Sequence, residues 1–92
     1  MLSAAPADAI LVLDVGNTRL GLGIWDADGL HDTQRCDLHA DDELQSALSR
    51  VWQATAGERK SVVLATVNPG AAARIQALTE EITGLAVARV RD

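Results

Sequence analysis

Apolar and polar positions change period twice along the chain, and each change marks a new kind of element. Ile10-Leu11-Val12-Leu13 is an unbroken apolar run, the pattern of a strand covered on both faces. Asp14-Val15-Gly16-Asn17-Thr18 interrupts it with a turn. Leu20, Leu22 and Ile24 then alternate with Gly21 and Gly23 as far as Trp25, which predicts a strand with bulky side chains on one face and none on the other. Asp26-Ala27-Asp28-Gly29 is a hairpin signal. Leu30 to Leu38 reads as a more polar strand, suited to a sheet edge. Residues 10–38 are therefore expected to form a three-strand antiparallel meander.

The period then lengthens. Leu44, Ala47, Leu48, Val51 and Trp52 fall on one stripe of a helix. Asp41, Asp42 and Glu43 put negative charge in its first turn, where the helix dipole favours it, and Gly57 is placed to end it. Ser61 to Val67 is a second buried strand. Asn68-Pro69 opens another helix with a capping side chain and a proline at the first helical position. Ala71, Ile75, Leu78 and Ile82 supply its apolar stripe, Gly84 its stop, and Leu85 to Val90 a last strand. The order βββαβαβ predicts an α/β fold, a mixed sheet with helices packed on it. Residues 1–9 read as a frayed, disordered tail. A sheet of this kind normally takes one more helix on its second face, so the natural chain is expected to continue beyond Asp92.

Composition narrows the chemistry. The 92 residues include only two aromatic side chains, Trp25 and Trp52, so the core must come from Leu, Val, Ile and Ala. The net charge is −5 and the eight basic residues are scattered, which disfavours a nucleic-acid partner. No apolar run approaches the roughly 20 residues that cross a bilayer, and the first residues lack the features of a signal peptide. A single cysteine, Cys36, forms no internal disulfide and fits a reducing cytoplasm. With no identifiable base beside it, its default reading is a half-buried structural thiol.

The stretch Asp14-Val15-Gly16-Asn17-Thr18-Arg19 is the best candidate for function. Gly16 can bend the chain without a side chain to obstruct a ligand. The neighbouring N–H groups can form an anion-binding concavity, and Asn17 and Thr18 add side-chain donors. Asp14, where the strand emerges, can hold Mg²⁺ directly or through water. Arg19 can offset phosphate charge. A tight turn alone would also account for these residue types. Asn68 follows the end of a central strand, where open α/β sheets place ligands, although helix capping is a sufficient explanation for it. Asp26 and Asp28 suit turn formation better than metal binding, and His31 and His39 read as exposed strand and loop residues.

Residues 10–26, Ile-Leu-Val-Leu-Asp-Val-Gly-Asn-Thr-Arg-Leu-Gly-Leu-Gly-Ile-Trp-Asp, resemble the opening of type III pantothenate kinases, in which a strand leads into Asp-[Val/Ile]-Gly-Asn-[Thr/Ser]. Val62 to Pro69 resembles the family's later strand and its turn into a helix. The shorter pattern Asp-x-Gly-x-Thr is shared with sugar kinases, acetate kinases, actin and heat-shock chaperones. That leaves another kinase or phosphatase of the actin-like ATPase superfamily, or a non-catalytic nucleotide-binding module, as alternatives.

The resemblance implies that residues 10–92 are the RNase H-like N-terminal half of a two-domain kinase. The reaction it implies is transfer of the ATP γ-phosphoryl group to pantothenate, the first step toward coenzyme A. In it Asp14 would position Mg²⁺ while Gly16, Asn17 and Thr18 line the phosphates. It also implies a homodimer that uses a monovalent cation, K⁺ or NH₄⁺. The family's Gly-x-Asp-Arg motif, whose Asp is the implied catalytic base, does not occur in these 92 residues. The base is therefore expected beyond Asp92, and the chain alone is expected to be inactive.

Overall fold

The computed structural model describes residues 8–55 and 59–90. Seven elements follow in the expected order: β1 (Asp8–Val15), β2 (Arg19–Asp26), β3 (Gly29–Asp37), α1 (Asp41–Ala54), β4 (Arg59–Thr66), α2 (Pro69–Thr83) and β5 (Val87–Arg89). The strands form one mixed sheet in the order β3-β2-β1-β4-β5. β1 pairs antiparallel with β2, which pairs antiparallel with β3, while β4 runs parallel to β1 and β5 parallel to β4. The meander and the edge position of β3 are as the alternation indicates.

Side-chain alternation divides the sheet into two unlike faces. Leu11, Leu13 and Val15 of β1, Leu20, Leu22 and Ile24 of β2, and Val62 and Leu64 of β4 are all buried. They pack in one cluster with Leu44, Ala47, Leu48 and Val51 of α1 and Ala72 and Ile75 of α2. The opposite face carries Val12, Asp14, Gly21, Gly23 and Trp25, and Trp25 is 52% exposed. β1, read from the sequence as covered on both sides, is therefore covered on one side by the described residues.

Local chemistry sets the ends of the elements. Asn68 caps α2 by accepting from the Ala71 N–H, Pro69 occupies its first turn, and Gly84 ends it in the left-handed conformation at φ 72°. At the β2–β3 turn Asp26 accepts from the Asp28 N–H, and Gly29 takes φ 92°.

Several boundaries differ from the sequence reading. Residues 1–7 of the expected tail lie outside the described residues, but its last two, Asp8 and Ala9, begin β1, and Ala9 is buried. Gly57 also lies outside them; α1 ends at Ala54, where the Thr55 hydroxyl donates to the Val51 carbonyl. The buried stripe of α2 is Ala72, Ile75 and Thr79, with Ala71, Leu78 and Ile82 only partly covered. The Thr79 hydroxyl donates to the Ile75 carbonyl, so its polarity is satisfied and a nominally polar residue sits in the core. β5 starts at Val87, because the Leu85 N–H bonds the Thr83 hydroxyl and still belongs to the exit from α2. Glu80, which reads as a solvated helix residue, accepts from the Val87 N–H at 2.9 Å and so ties α2 to β5.

A core on one face predicts unequal sensitivity to substitution. Leu64→Ala should lower unfolding stability by about 3 kcal/mol, seen as a lower urea midpoint at unchanged slope. Trp25→Gln, on the open face, should change it by no more than about 0.5 kcal/mol.

Candidate functional site

β1 and β4 run parallel with Val15 opposite Thr66, so both strands end at the same edge of the sheet, where α2 begins. The turn from β1 to β2 lies at that edge. It is closed by the Gly16 N–H donating to the Arg19 carbonyl at 2.9 Å. Gly16 does not use a left-handed conformation, as positive φ at glycine occurs at Gly29 and Gly84 among the described residues. Its lack of a side chain matters for another reason: a Cβ would lie 3.3 Å from the Arg19 carbonyl oxygen. The Gly16 amide is thus engaged within the turn. Among the described residues the amides of Asn17 and Thr18 have no acceptor, and both residues are exposed. These two N–H groups, rather than that of Gly16, are available to an anion.

Three further contacts brace the turn. The Thr18 carbonyl accepts from the Leu38 N–H at 2.9 Å. The Val15 carbonyl accepts from the Thr66 hydroxyl and from the Val67 N–H, each at 3.2 Å. The Thr66 hydroxyl in turn accepts from the Asn68 N–H at 2.7 Å. The Asn68 side chain spans the gap, accepting from Ala71 at 3.3 Å and donating to the Gly16 carbonyl at 3.5 Å. A hydroxyl and an amide therefore join the ends of β1 and β4 to the start of α2.

The site residues expected from sequence separate into three groups. Asp14, Asn17, Thr18 and Arg19 are exposed around the turn. Asp14 points to the open face of the sheet opposite Gly21, and a Cβ on Gly21 would lie 3.7 Å from the Asp14 Cβ. Val15 is fully buried in the core, and its carbonyl is occupied by Thr66 and Val67, so its side chain is not part of the exposed surface. Asn68 and Gly16 hold the turn in place. Thr66 was missed by reasoning that sought charged or exposed groups. The signal that could have found it is a hydroxyl residue two positions before an Asn-Pro cap, a recurrent local bonding pattern.

Two grooves flank the turn, and a third, of about 320 Å³, is lined in part by its own Thr18 and Arg19. One, of about 510 Å³, lies on the open sheet face and includes Val12, Asp14, Gly21, Gly23, Thr33 and Arg35. The other, of about 450 Å³, is lined by His39, Asp41, Asn68, Gly70, Ala71 and Arg74. Arg74 is held there by Asp41 at 2.9 Å and by the Leu38 carbonyl. Among the described residues no cluster of three or more His, Cys, Asp or Glu is arranged to hold a metal ion. Cys36 is half-buried, and its thiol is pushed up by burial and by the Glu43 carboxylate, which keeps it protonated and poorly nucleophilic.

An exposed carboxylate and two unengaged amides on one turn, at the shared end of parallel strands, are groups suited to a polyphosphate and its cation. The sequence profile of the family described as type III pantothenate kinase matches residues 10–92. The chain belongs to that family. No curated protein sequence matches it closely. Solved structures share the fold, among them two from Aquifex aeolicus. One, described as an Aquifex aeolicus PPX-GPPA enzyme, has a TM-score of 0.54 at 14% identity and covers 92% of this chain. The other, a crystal structure of the Aquifex aeolicus member of the Ppx/GppA family, has a TM-score of 0.50 at 16% identity with the same coverage. The kinase-family chain spans 36% and 35% of their respective lengths. The chain thus shares their α/β fold, a mixed five-strand sheet with two helices, consistent with an RNase H-like half-domain.

The bracing role of Asn68 predicts graded effects on stability. Asn68→Ala removes the helix cap and should cost about 1 kcal/mol. Asn68→Asp keeps the capping oxygen but loses the amide donor to Gly16, and should lower urea stability by less than Asn68→Ala does.

Proposed function

We propose that this chain supplies the phosphate-binding half of a kinase site that transfers the γ-phosphoryl group of ATP to pantothenate, the first step toward coenzyme A. The observation that carries the proposal is the pair of unengaged amides at Asn17 and Thr18 in a turn that follows the exposed Asp14 at the end of β1. Membership of the type III pantothenate kinase family supports it.

The residues would act mainly by positioning and charge neutralisation, which dominate phosphoryl transfer. The Asn17 and Thr18 amides and side chains would donate to phosphate oxygens. Arg19 would neutralise part of the charge that these donors leave uncompensated. Asp14 would hold Mg²⁺ directly or through water. A lone carboxylate suffices for that, because Mg²⁺ is usually held by one or two carboxylates together with substrate phosphates and water. Bound there, Mg²⁺ would neutralise part of the phosphate charge. Val15 would take part only as the core anchor of the turn. Asn68 would act on the substrate side through the position it gives α2.

No step is assigned to the K⁺ or NH₄⁺ that the resemblance implies. A homodimer in a cytoplasmic setting completes the proposal. No helix among the described residues is long and apolar enough to cross a membrane.

Accepting the pantothenate hydroxyl proton requires a carboxylate base, and the Gly-x-Asp-Arg motif that would provide one does not occur in these residues. This chain alone should therefore bind Mg·ATP without pantothenate-dependent turnover. A coupled assay for ADP should stay at background with this chain alone, and turnover above background would refute that expectation. Calorimetric titration with a non-hydrolysable ATP analogue and Mg²⁺ should show binding that Asp14→Asn weakens by about tenfold, equivalent to about 1.4 kcal/mol. Equal affinity of the variant would remove Asp14 from the proposed site.

A further inference from the structure

β3 is irregular where it passes Gly23. Leu22 pairs with Gln34 and Ile24 with His31, so Asp32 and Thr33 together oppose Gly23. This two-against-one arrangement is a β-bulge. Asp32 adopts φ 53° there, the left-handed conformation that glycine takes without strain. The bulge presses Leu30 and Thr33 against the second strand. A Cβ on Gly23 would lie 3.0 Å from the Thr33 methyl group and 3.2 Å from a Leu30 methyl group. Both side chains belong to the wall of the groove that contains Asp14.

His31 holds this irregularity from both sides. Its Nε2 lies 2.8 Å from Asp26 Oδ2 on β2, and its Nδ1 lies 2.8 Å from Asp32 Oδ2. A carboxylate only accepts, so both ring nitrogens must donate, and only the imidazolium carries two N–H groups. A neutral ring can satisfy one partner and turns a lone pair toward the other. We propose that His31 is a protonation-dependent clamp: the imidazolium joins Asp26 to Asp32 and fixes the β3 bulge, and loss of its proton to solvent frees the Asp32 arm and relaxes the groove wall. Asp32 is the arm that yields, because its side chain is the more exposed and its backbone is strained, whereas Asp26 is also held by the Asp28 N–H.

The surrounding charges agree with this reading. The bonds from Asp26 and Asp32 raise His31 above its ordinary value of 6.5. The bond from His31 holds Asp26 below its usual carboxylate value of 3.8. From α1, Arg50 shares a groove with Asp32 but donates to Gln34 at 3.1 Å. A raised histidine favours the clamped form fully below its ordinary value, and the preference is lost as pH rises through the raised value. At the acid end the preference fades as pH falls through the lowered Asp26 value. The clamp is therefore closed from mildly acidic to near-neutral pH and open in alkali.

The test is an NMR titration of the 92-residue chain from about pH 5 to about pH 9, with the two histidine rings distinguished by His39→Gln. His31 should titrate above 6.5, and the Gly23, Asp32 and Thr33 amide signals should move with the same midpoint. Asp32→Asn should lower that midpoint and uncouple Gly23 and Thr33 from it. His31→Gln should hold these amides at their alkaline positions throughout. An ordinary or lowered His31 midpoint, or amides that stay fixed while His31 titrates high, would overturn the proposal.

Discussion

The arrangement of this molecule depends on β1 being paired on both edges with different polarity. Antiparallel pairing to β2 requires a short turn at Val15–Leu20, and parallel pairing to β4 brings Thr66 beside Val15 at that same end. A parallel neighbour cannot be reached by a tight turn, so the chain must cross over through a helix and return. α1 makes that crossover, and its apolar stripe closes the core against β2 and β3. The turn, the end of β4 and the start of α2 then meet at one edge as a consequence of strand direction. Ligand sites in open α/β sheets occupy this location for the same geometric reason.

Once these ends meet, their polar backbone groups need partners. Thr66 and Asn68 provide them by linking the Val15 and Gly16 carbonyls to the α2 N-terminus. This leaves the amides of the exposed residues Asn17 and Thr18 unengaged, in a turn whose carbonyls at Val15, Gly16 and Thr18 are already held. Such a turn presents donors with little reorganisation, the condition under which electrostatic stabilisation of a phosphate is most effective. The two faces of the sheet reinforce the division of labour. Leu11, Leu13 and Val15 anchor β1 in the core, while Asp14, between the last two, is directed to the open face.

Much of this was legible from residue pattern. The alternation in β2 and the stripe in α1 gave the elements and their buried faces, and Asn68, Pro69 and Gly84 marked the limits of α2. The Asp14–Arg19 stretch was recognisable as a candidate loop from its residue types. Features that depend on tertiary partners were not legible. Thr79 entered the core because its hydroxyl bonds within its own helix. The engagement of the Gly16 amide, and hence the shift of interest to Asn17 and Thr18, follows from turn geometry that several loop types could satisfy. The bulge at Asp32 was hidden because its left-handed residue is not glycine. His31 looked exposed until folding set it between two carboxylates.

The proposed receptor for the nucleotide's phosphates is the pair of unengaged amides at Asn17 and Thr18 in the β1–β2 turn. Mapping amide chemical shifts while adding Mg²⁺ and a non-hydrolysable ATP analogue tests this assignment most directly. The largest changes should fall on Asn17 and Thr18, with a smaller change at Gly16, whose N–H is held by the Arg19 carbonyl. Shifts centred elsewhere on the sheet, with Asn17 and Thr18 unmoved at saturation, would contradict it.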